Sequence, residues 1–405
     1  MITAQPTPGT PSLMRAINDR AALQALLQHG SLTRPELSDL TGLSKPTASQ
    51  LLNRLRDAGL VILDGRREGL PGRTAETYRI NPRLAYICAL DVSGARINAV
   101  VADITGEVVG EYRIETPGRS GGDAVAWVQT AVAGACAAAC VEQAELSRVT
   151  IGIQGAVDPQ TGRLWYAAHI RGWQIADLVG TLNRALGVTV ELENDVNLVA
   201  VAEHMRGAAR GHQDFVLLWC GRGIGVALML GGKLHRGATG GAGEVGYMPV
   251  PGAPTARETG RHANHGLQAL VGGHAVLAVM RSYGFRGSTP DRAVQAAITA
   301  WDDHGQAAAA RAEAALRDVA VRVATGLAAV TALIDPGIVI LTGEVLLAGG
   351  EVLRGLVERE LHTMTIPRPR LRLSAVEGNP VLGGALEHAL SVTREELLAS
   401  TMSSP

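Results

Sequence analysis

The sequence predicts an α/β protein in which a small helical domain precedes two related α/β lobes. Three observations lead to this prediction. Residues from about 13 to 63 show helical periodicity throughout. After Pro82, short strand-like runs alternate with alanine-rich helical stretches, a pattern typical of sheets covered by helices. Strand pairs joined by a glycine turn occur at 89–103 and again at 215–230, and this repetition suggests two lobes of similar construction.

The length of 405 residues allows two or three domains. We expect a flexible tail over 1–12 and a helical domain over 13–82. A first α/β lobe should span 83–196 and be completed by a C-terminal helix over 380–398. The second lobe should span 197–379 and carry a dimerisation surface.

The composition excludes several classes of protein. A formal net charge of -1 shows no overall bias towards nucleic acid or membrane, although a local basic patch remains compatible with it. Four scattered cysteines are too few for a disulfide framework. The N-terminus has no basic start followed by an apolar run, and no apolar stretch approaches the roughly 18 residues of a membrane span. We therefore expect a soluble, cytoplasmic protein without a membrane partner.

The helical domain contains the signals of a helix-turn-helix. Thr33 and Glu36 form a capping box that starts one helix, and Ser44 with Pro46 starts the next. Such a second helix enters the DNA major groove with its N-terminus first. The residues expected near base edges are Ser44, Lys45, Thr47, Ala48 and Gln50, with Asn53 and Arg54 nearer the DNA backbone.

The stretch after these helices resembles a wing. Arg66, Arg67 and Arg73 lie among Gly65, Gly69 and Gly72, and a glycine-rich hairpin with arginines can reach phosphates or a minor groove. The alternative is a three-helix docking module with a solvated basic loop. Helices, hairpin and arginines together favour a winged helix-turn-helix that binds DNA.

Several polar residues follow predicted strands in the α/β part. Asp91 ends a strand at a turn, and Asn194 with Asp195 opens a helix directly after another strand. Glu244 lies in the glycine-rich loop GGAGEVGYMPV. Asn and Asp are also favoured as simple helix caps, so that reading stays open for Asn194 and Asp195. The functional alternative is that Asn194 and Asp195 bind hydroxyl groups of a polyol. A carboxylate that accepts a hydroxyl proton can also be the general base of phosphoryl transfer.

The chain resembles the ROK family of repressors, open reading frames and sugar kinases. The resemblance covers about 15 to 395. The segments that carry it are LDVSGARINAVVADITGEVV, GIQGAVDPQTGRL, RGWQIADL, ENDVNLVAVAE, GRGIGVALMLGGKLHRGATGGAGEVGYMPV and IVILTGEV. It implies two actin-like, hexokinase-like lobes with a sugar in the cleft. The family's regulators carry an N-terminal winged helix-turn-helix, as this sequence does, and its kinases do not.

Three departures concern the nucleotide. Where the kinases resemble D-x-G-G-T, this chain ends the turn after Asp91 with Gly94 and Ala95. Where they resemble G-T-G-I-G, it has the bulky Arg222, and where they resemble G-G-G it has Glu344, whose charge would repel a polyphosphate. We therefore expect no kinase activity and no catalytic residue, although Asp195 matches the kinases' catalytic base.

The metal site implied by the resemblance has also changed. Family members resemble G-E-x-G-H followed by a cysteine cluster that holds one structural zinc. Here Tyr247 replaces the histidine, and the segment ARETGRHANHGLQ has no cysteine, only His262 and His265. A closed zinc site needs four soft or imidazole ligands. We predict no zinc and no other cofactor, with a different packing around Tyr247.

The sugar site implied by the resemblance is better preserved. Residues matching Asn194, Asp195 and Glu244 bind sugar hydroxyls in the family, and the backbone near Gly155 lines the cleft. Three positions have altered hydrogen-bonding groups: His169 replaces Asn, Gln268 replaces Glu, and Tyr247 replaces a histidine that also touches sugar.

The sequence as a whole predicts a sugar-responsive transcriptional regulator, a repressor that binds operator DNA as a homodimer or a tetramer. Two alternatives stay open. One is an ATP-dependent sugar kinase of the ROK type, and the other is a regulator with an inactive sugar site that is controlled by a protein partner.

Overall fold

A computed structural model describes residues 11–68, 74–116, 123–158, 160–165, 172–260, 265–302 and 305–403. The tail predicted over 1–12 lies outside this part except for its last two residues, which belong to the first helix. No helix within the described ranges combines the length and apolar character needed to cross a bilayer.

The N-terminal domain is a winged helix-turn-helix, as predicted. Its helices and strands are α1 (Pro11–His29), β1 (Leu32–Thr33), α2 (Arg34–Thr41), α3 (Lys45–Asp57), β2 (Val61–Glu68) and β3 (Thr74–Ile80). The predicted capping box is present, since Thr33 and Glu36 exchange hydrogen bonds at the start of α2. Gly42 ends α2 with φ of 68°, a left-handed conformation that favours glycine. The strands form an antiparallel sheet in the order β1-β3-β2.

The first lobe is built on a five-stranded sheet. Its elements are β4 (Tyr86–Val92), β5 (Arg96–Asp103), β6 (Val108–Glu115), α4 (Ala124–Ala139), β7 (Leu146–Ile153), β8 (Ala156–Val157), β9 (Leu164–Trp165), α5 (Leu178–Leu186) and β10 (Thr189–Asn194). The sheet has the order β10-β7-β4-β5-β6, while β8 and β9 form a separate pair. Strands β4, β7 and β10 are parallel, so their carboxyl ends meet at one edge.

The second lobe repeats this arrangement after helix α6. Its elements are α6 (Asp195–Arg206), β11 (Phe215–Cys220), β12 (Ile224–Leu230), β13 (Lys233–Leu234), α7 (Ala256–Thr259), α8 (Gly266–Val271), α9 (Gly273–Ser282), α10 (Pro290–Asp302), α11 (Gln306–Ile334), β14 (Ile338–Thr342), α12 (Glu344–Met364) and β15 (Arg370–Leu373), followed by the C-terminal helix α13 (Pro380–Ser403). The sheet order β13-β12-β11-β14-β15 matches that of the first sheet, with an antiparallel hairpin beside parallel strands. This confirms that the two lobes are related.

Helices α6 and α13 lie between the two sheets. One apolar core joins Ile87 of the first sheet, Phe215 of the second, Leu198 of α6 and Leu386 of α13, all of them buried. The outer faces of the sheets have separate cores, formed with α4 and α5 on one side and with α9 to α12 on the other. The α13 helix therefore packs against both lobes, not only against the first.

The far end of α13 enters the core of the DNA-binding domain. Leu398 and Ile104 are buried in one cluster with Leu23 and Leu26 of α1. Nearby, Arg20 donates to Glu395 over 3.0 Å. The winged domain is thus packed onto α13 and the first lobe through apolar contacts.

The contact between α6 and α13 generates a stability prediction. A Cβ at Gly384 would lie 1.8 Å from the backbone oxygen of Leu198, and a backbone atom inside a packed helix cannot move aside. We expect Gly384→Ala to lower the free energy of unfolding by about 2 kcal/mol or more in urea denaturation. Gly355→Ala in α12 is the matched control, because its nearest neighbour would be 3.9 Å away. That change should be neutral or stabilising by up to about 1 kcal/mol. Equal effects of the two substitutions would contradict the close contact.

Candidate DNA-binding surface and interlobe cleft

The start of α3 presents most of the predicted DNA-contacting residues. Ser44 caps the helix, and its hydroxyl accepts from the backbone amide of Thr47 over 3.4 Å. The side chains on this exposed surface are those of Ser44, Lys45, Thr47, Gln50 and Asn53. Within the described part of the chain, Lys45 forms no ion pair, so its charge is available to a phosphate or a base edge.

Ala48 was wrongly predicted to lie near base edges. It is 0% exposed and shares the inward face of α3 with Leu51, Leu52 and Leu55. The spacing of three, four and seven residues from Ala48 to these leucines places all four on one helical face. Ala48 therefore packs the helix against the domain and does not contact DNA.

The arginines near the wing differ in their partners. Arg67 pairs with Glu36 over 2.7 Å and donates to the backbone oxygen of Ser31 over 3.1 Å. Arg54 is held by Asp19 of α1. Arg66 is exposed and forms no ion pair among the described residues, whereas Arg73 lies outside them. Arg66 is therefore better placed than Arg67 or Arg54 to bind a phosphate without first losing an internal partner.

In the α/β part, polar groups meet where the parallel strands of the first sheet end. Asn194 ends β10 and caps α6, and its Oδ1 accepts from the amides of Val196 and Asn197 over 2.8 and 3.1 Å. Its Nδ2 donates to the backbone oxygen of Gly155 over 3.0 Å. The capping role that the sequence left open is thus present, and one Nδ2 hydrogen remains beyond these three bonds.

The half-buried carboxyls of Asp195 and Glu244 influence each other's charge where the two lobes meet. Burial raises the pKa of Asp195 to about 6, and the Asp91 carboxylate adds to this shift. Burial raises the pKa of Glu244 to about 7, with a further contribution from Asp195. Asp91 itself accepts from Nδ2 of Asn379 over 2.7 Å and of Asn98 over 3.2 Å. Such carboxyls can accept or donate hydrogen bonds to ligand hydroxyls near neutral pH.

The predicted alternative packing around Tyr247 is a ring contact with His265. The ring centroids are 5.5 Å apart at an angle of 58°, and His265 is 4% exposed. The amide of Leu267 also donates to the backbone oxygen of Met248 over 3.0 Å. Across the described ranges, no group of three or more His, Cys, Asp and Glu residues could hold a metal ion. His262 and the predicted sugar ligand His169 lie outside those ranges.

Gln268 serves the turn after β11. Its Oε1 accepts from the amide of Ile224 over 3.0 Å, and its Nε2 donates to the backbone oxygen of Arg222 over 3.5 Å. Gln268 as a sugar ligand stays a prediction, and its amide also braces this turn.

The same turn is filled by Glu344. A Cβ at Gly221 would lie 1.8 Å from Oε2 of Glu344, so the carboxylate rests against the turn. Glu344 is the first residue of α12, where the helix dipole favours a negative charge. Burial raises the pKa of Cys220 to about 12, and Glu344 contributes to that shift. The N-terminus of α12, where a helix favours an anion, thus carries the protein's own carboxylate.

Three contacts in the cleft were not anticipated from the sequence: Asn98 with Asp91, Asn379 with Asp91, and Arg236 with Glu193. The first has a detectable signal, because Asn98 is opposite Asp91 in an antiparallel pair. Asn379 precedes Pro380 at the start of α13 and is a recognisable cap. The Arg236 contact has no local signal.

Fold and site together define a two-lobed, sugar-kinase-like protein fused to a winged helix-turn-helix. The chain belongs to the ROK family, whose model matches residues 87–386. A second model, described as winged helix-turn-helix DNA-binding, matches residues 15–62.

The chain is similar to named repressors. A putative xylose repressor of Caldicellulosiruptor sp. (strain Rt8B.4) is 27% identical over 60% of this chain and 61% of that protein. The DNA-binding transcriptional dual regulator NagC of Escherichia coli (strain K12) is 23% identical over 60% of this chain and 59% of that protein. The chain thus spans about three fifths of the length of these curated relatives.

Solved structures show the same fold. A ROK family transcriptional regulator, a homologue of the E. coli MLC protein, aligns with a TM-score of 0.72 at 18% identity and covers 96% of this chain and 99% of that one. A ROK hexokinase from Thermus thermophilus aligns with a TM-score of 0.61 at 28% identity, covering 76% of this chain and 99% of that one.

The raised pKa values give a pH prediction. Both carboxyls have folded-state pKa values above the ordinary 3.8 and 4.5, so between about pH 4 and 7 the folded protein binds more protons than the unfolded chain. Their contribution to stability therefore falls as pH rises through this window. We expect the double variant Asp195→Asn, Glu244→Gln to be more stable than the unaltered protein by about 2 kcal/mol at pH 8.

The difference between the two proteins should shrink towards pH 4, as measured by urea denaturation at several pH values. Glu377→Gln, which changes an exposed carboxyl, is the control and should show no such trend. A constant difference at all pH values would contradict the raised pKa values, because it would show that folding does not change the proton binding of these carboxyls.

Proposed function

We propose that the protein is a sugar-responsive transcriptional regulator, a repressor that binds operator DNA as a homodimer and holds its effector between the two lobes. The observation that carries this proposal is the combination within one chain of a winged helix-turn-helix, an acidic cleft and a phosphate site filled by Glu344. These parts suit DNA binding and hydroxyl binding, whereas the Glu344 carboxylate against the turn at Gly221 disfavours a polyphosphate there. Such a protein works in the cytoplasm, beside the DNA.

The named relatives support the proposal and narrow the effector. The name of the Caldicellulosiruptor relative refers to xylose, and that of a further Escherichia coli relative, an N-acetylglucosamine repressor, refers to an amino sugar. A pentose, a hexose or an amino sugar is therefore the class to test first. Two copies on a palindromic operator would contact successive major grooves, because dimeric helix-turn-helix proteins bind half-sites one helical turn apart.

A ROK-type kinase is the second candidate. Asp195 favours it, because a buried carboxyl with a pKa of about 6 suits a general base. Glu344 opposes it, because its carboxylate lies where a nucleotide phosphate would bind. We therefore propose that Asp195 serves sugar binding alone and that no phosphoryl transfer occurs.

The first test is a thermal-shift scan against sugars, sugar phosphates and ATP with magnesium. A ligand at one hundred times its dissociation constant stabilises the folded state by about 2.7 kcal/mol. We expect a shift with one sugar and none with ATP. A shift with ATP would favour the kinase, and a flat panel would favour control by a protein partner.

Asp195→Asn should abolish the response to that sugar and leave operator binding intact. The substitution keeps the shape of the side chain but removes a charged acceptor of hydroxyl hydrogen bonds. Operator release by sugar, followed by fluorescence anisotropy, measures both properties. Asp302→Asn at the exposed end of α10 is the control and should behave as the unaltered protein. Loss of DNA binding in Asp195→Asn would contradict the assigned roles.

Lys45→Ala should weaken operator binding and reduce its dependence on salt. If Lys45 neutralises one phosphate per subunit, the slope of log affinity against log salt should fall by about one unit per subunit. Lys233→Ala, at an exposed lysine of β13, should change neither quantity. An unchanged slope in Lys45→Ala would remove Lys45 from the DNA-binding surface.

A further inference from the structure

An ion pair joins the two lobes beside the candidate sugar site. Nε of Arg236 donates to Oε2 of Glu193 over 2.6 Å. Glu193 belongs to β10 of the first sheet, whereas Arg236 follows β13 of the second. The Glu193 side chain is 8% exposed and that of Arg236 is 41% exposed. The cation therefore reaches a nearly buried carboxylate from the rim of the cleft.

Glu193 also organises the first turn of α6. Its Oε1 accepts from the backbone amide of Asn194 over 2.9 Å and from Nδ2 of Asn197 over 2.8 Å. These bonds tie the carboxylate to the turn that contains Asn194 and Asp195. Arg236 is thus linked, through Glu193, to the sugar-binding residues proposed for the first lobe.

Arg236 begins the loop that ends at Glu244. The amide of Ala242 donates to the backbone oxygen of Arg236 over 3.1 Å, which closes the loop. A Cβ at Gly240 would lie 2.1 Å from the backbone oxygen of Val157 in β8. Loop 236–244 therefore leaves the second sheet and contacts the first lobe at two points, Arg236 and Gly240.

We propose that Arg236 is a positioning residue for the sugar site: its pair with Glu193 holds Glu244 of the second lobe in place against Asn194 and Asp195 of the first. That the ligand is a sugar rests on the proposed function. The link between loop 236–244 and the end of β10, made by Arg236 and Glu193, does not depend on it. Removing the cation leaves the Glu193 carboxylate buried without its charge partner. Loop 236–244 is then no longer held at a fixed distance from the first turn of α6. A ligand that contacts both Glu244 and Asp195 therefore binds more weakly. The pair must also separate when the lobes move apart, since its members belong to different sheets.

The affinity of the full-length chain for D-xylose, D-glucose and N-acetyl-D-glucosamine, measured by calorimetry, tests the proposal. For the sugar that the unaltered protein binds, Arg236→Ala should reduce affinity by about 10- to 100-fold, because small misplacements of a binding group have effects of that size. Arg236→Lys should restore part of the loss, because it keeps the charge without the planar fork. Arg184→Ala removes an exposed pair with Asp177 and should leave affinity unchanged. Unaltered affinity in Arg236→Ala would overturn the proposal.

A double-substitution cycle separates positioning from direct contact with sugar. If Arg236 acts through Glu193, then Arg236→Ala, Glu193→Gln and the combined variant should lose affinity to similar extents. If the losses of the two single variants add up, Arg236 acts independently of Glu193, and the positioning role is wrong.

Hydrogen exchange of the ligand-free chain provides a readout that needs no sugar. Arg236→Ala should speed exchange in loop 236–244 and at the amide of Asn194 by about tenfold, as expected when local opening becomes easier, while exchange in α1 to α3 stays the same. Unchanged loop exchange would overturn the link between loop and strand end. If the loop responds but the unaltered protein binds none of the three sugars, the link stands and the assignment of a sugar site fails.

Discussion

The close contact between α6 and α13 is the constraint on which the cleft depends. These helices lie between the two sheets, and Gly384 allows the backbone of α13 to reach that of Leu198 in α6. The first helix begins at Asp195, and the second begins beside Asn379, whose amide donates to Asp91 over 2.7 Å. One helix contact thus sets the relative positions of the carboxylates in the cleft. Glu203, 0% exposed, strengthens it from the other end by accepting from the amides of Ala375 and Val376 ahead of α13.

The carboxyls of Asp195 and Glu244 lie in one part of the proposed cleft. In another part, the Glu344 carboxylate rests against the turn at Gly221. At a helix N-terminus, backbone N–H groups and the helix dipole favour an anion. In this chain the side chain at that position is Glu344, whose carboxylate lies against the turn at Gly221. A polyphosphate would have to displace this carboxylate and tolerate its charge at short range, which is unfavourable.

Features that depend on neighbouring residues were predictable from the sequence. The caps at Thr33 and Ser44 follow from side chains within three positions of the groups they bind, and the repeated glycine-turn hairpins predicted the two related sheets. Ala48 was assigned to the DNA surface although its spacing from Leu51, Leu52 and Leu55 already indicated burial. The face of a helix, and not the order of residues along the chain, decides which of its side chains are exposed.

Features that depend on distant residues were not predictable. Arg236 and Glu193 are 43 positions apart, and only the packing of one lobe on the other brings them together. The ring contact between Tyr247 and His265 and the contact of Glu344 with the turn at Gly221 also join residues that are distant in sequence, in both cases within the second lobe. Sequence comparison could indicate that zinc and nucleotide ligands had changed, but the groups that fill those places become visible only in the folded chain.

Helix α13 connects the proposed sugar cleft with the winged domain. Its first turn adjoins Asn379 and Asp91, and its last turns bury Leu398 beside Leu23 and Leu26 of the winged domain. A helix of 24 residues is about 36 Å long, and its hydrogen-bonded backbone makes it move largely as one piece. Sugar can change operator affinity only if it binds two arrangements of the lobes with different affinity. Because α13 packs with both lobes and with the winged domain, a shift of α13 relative to α6 would also move the winged domain that carries α3, the proposed DNA-binding helix.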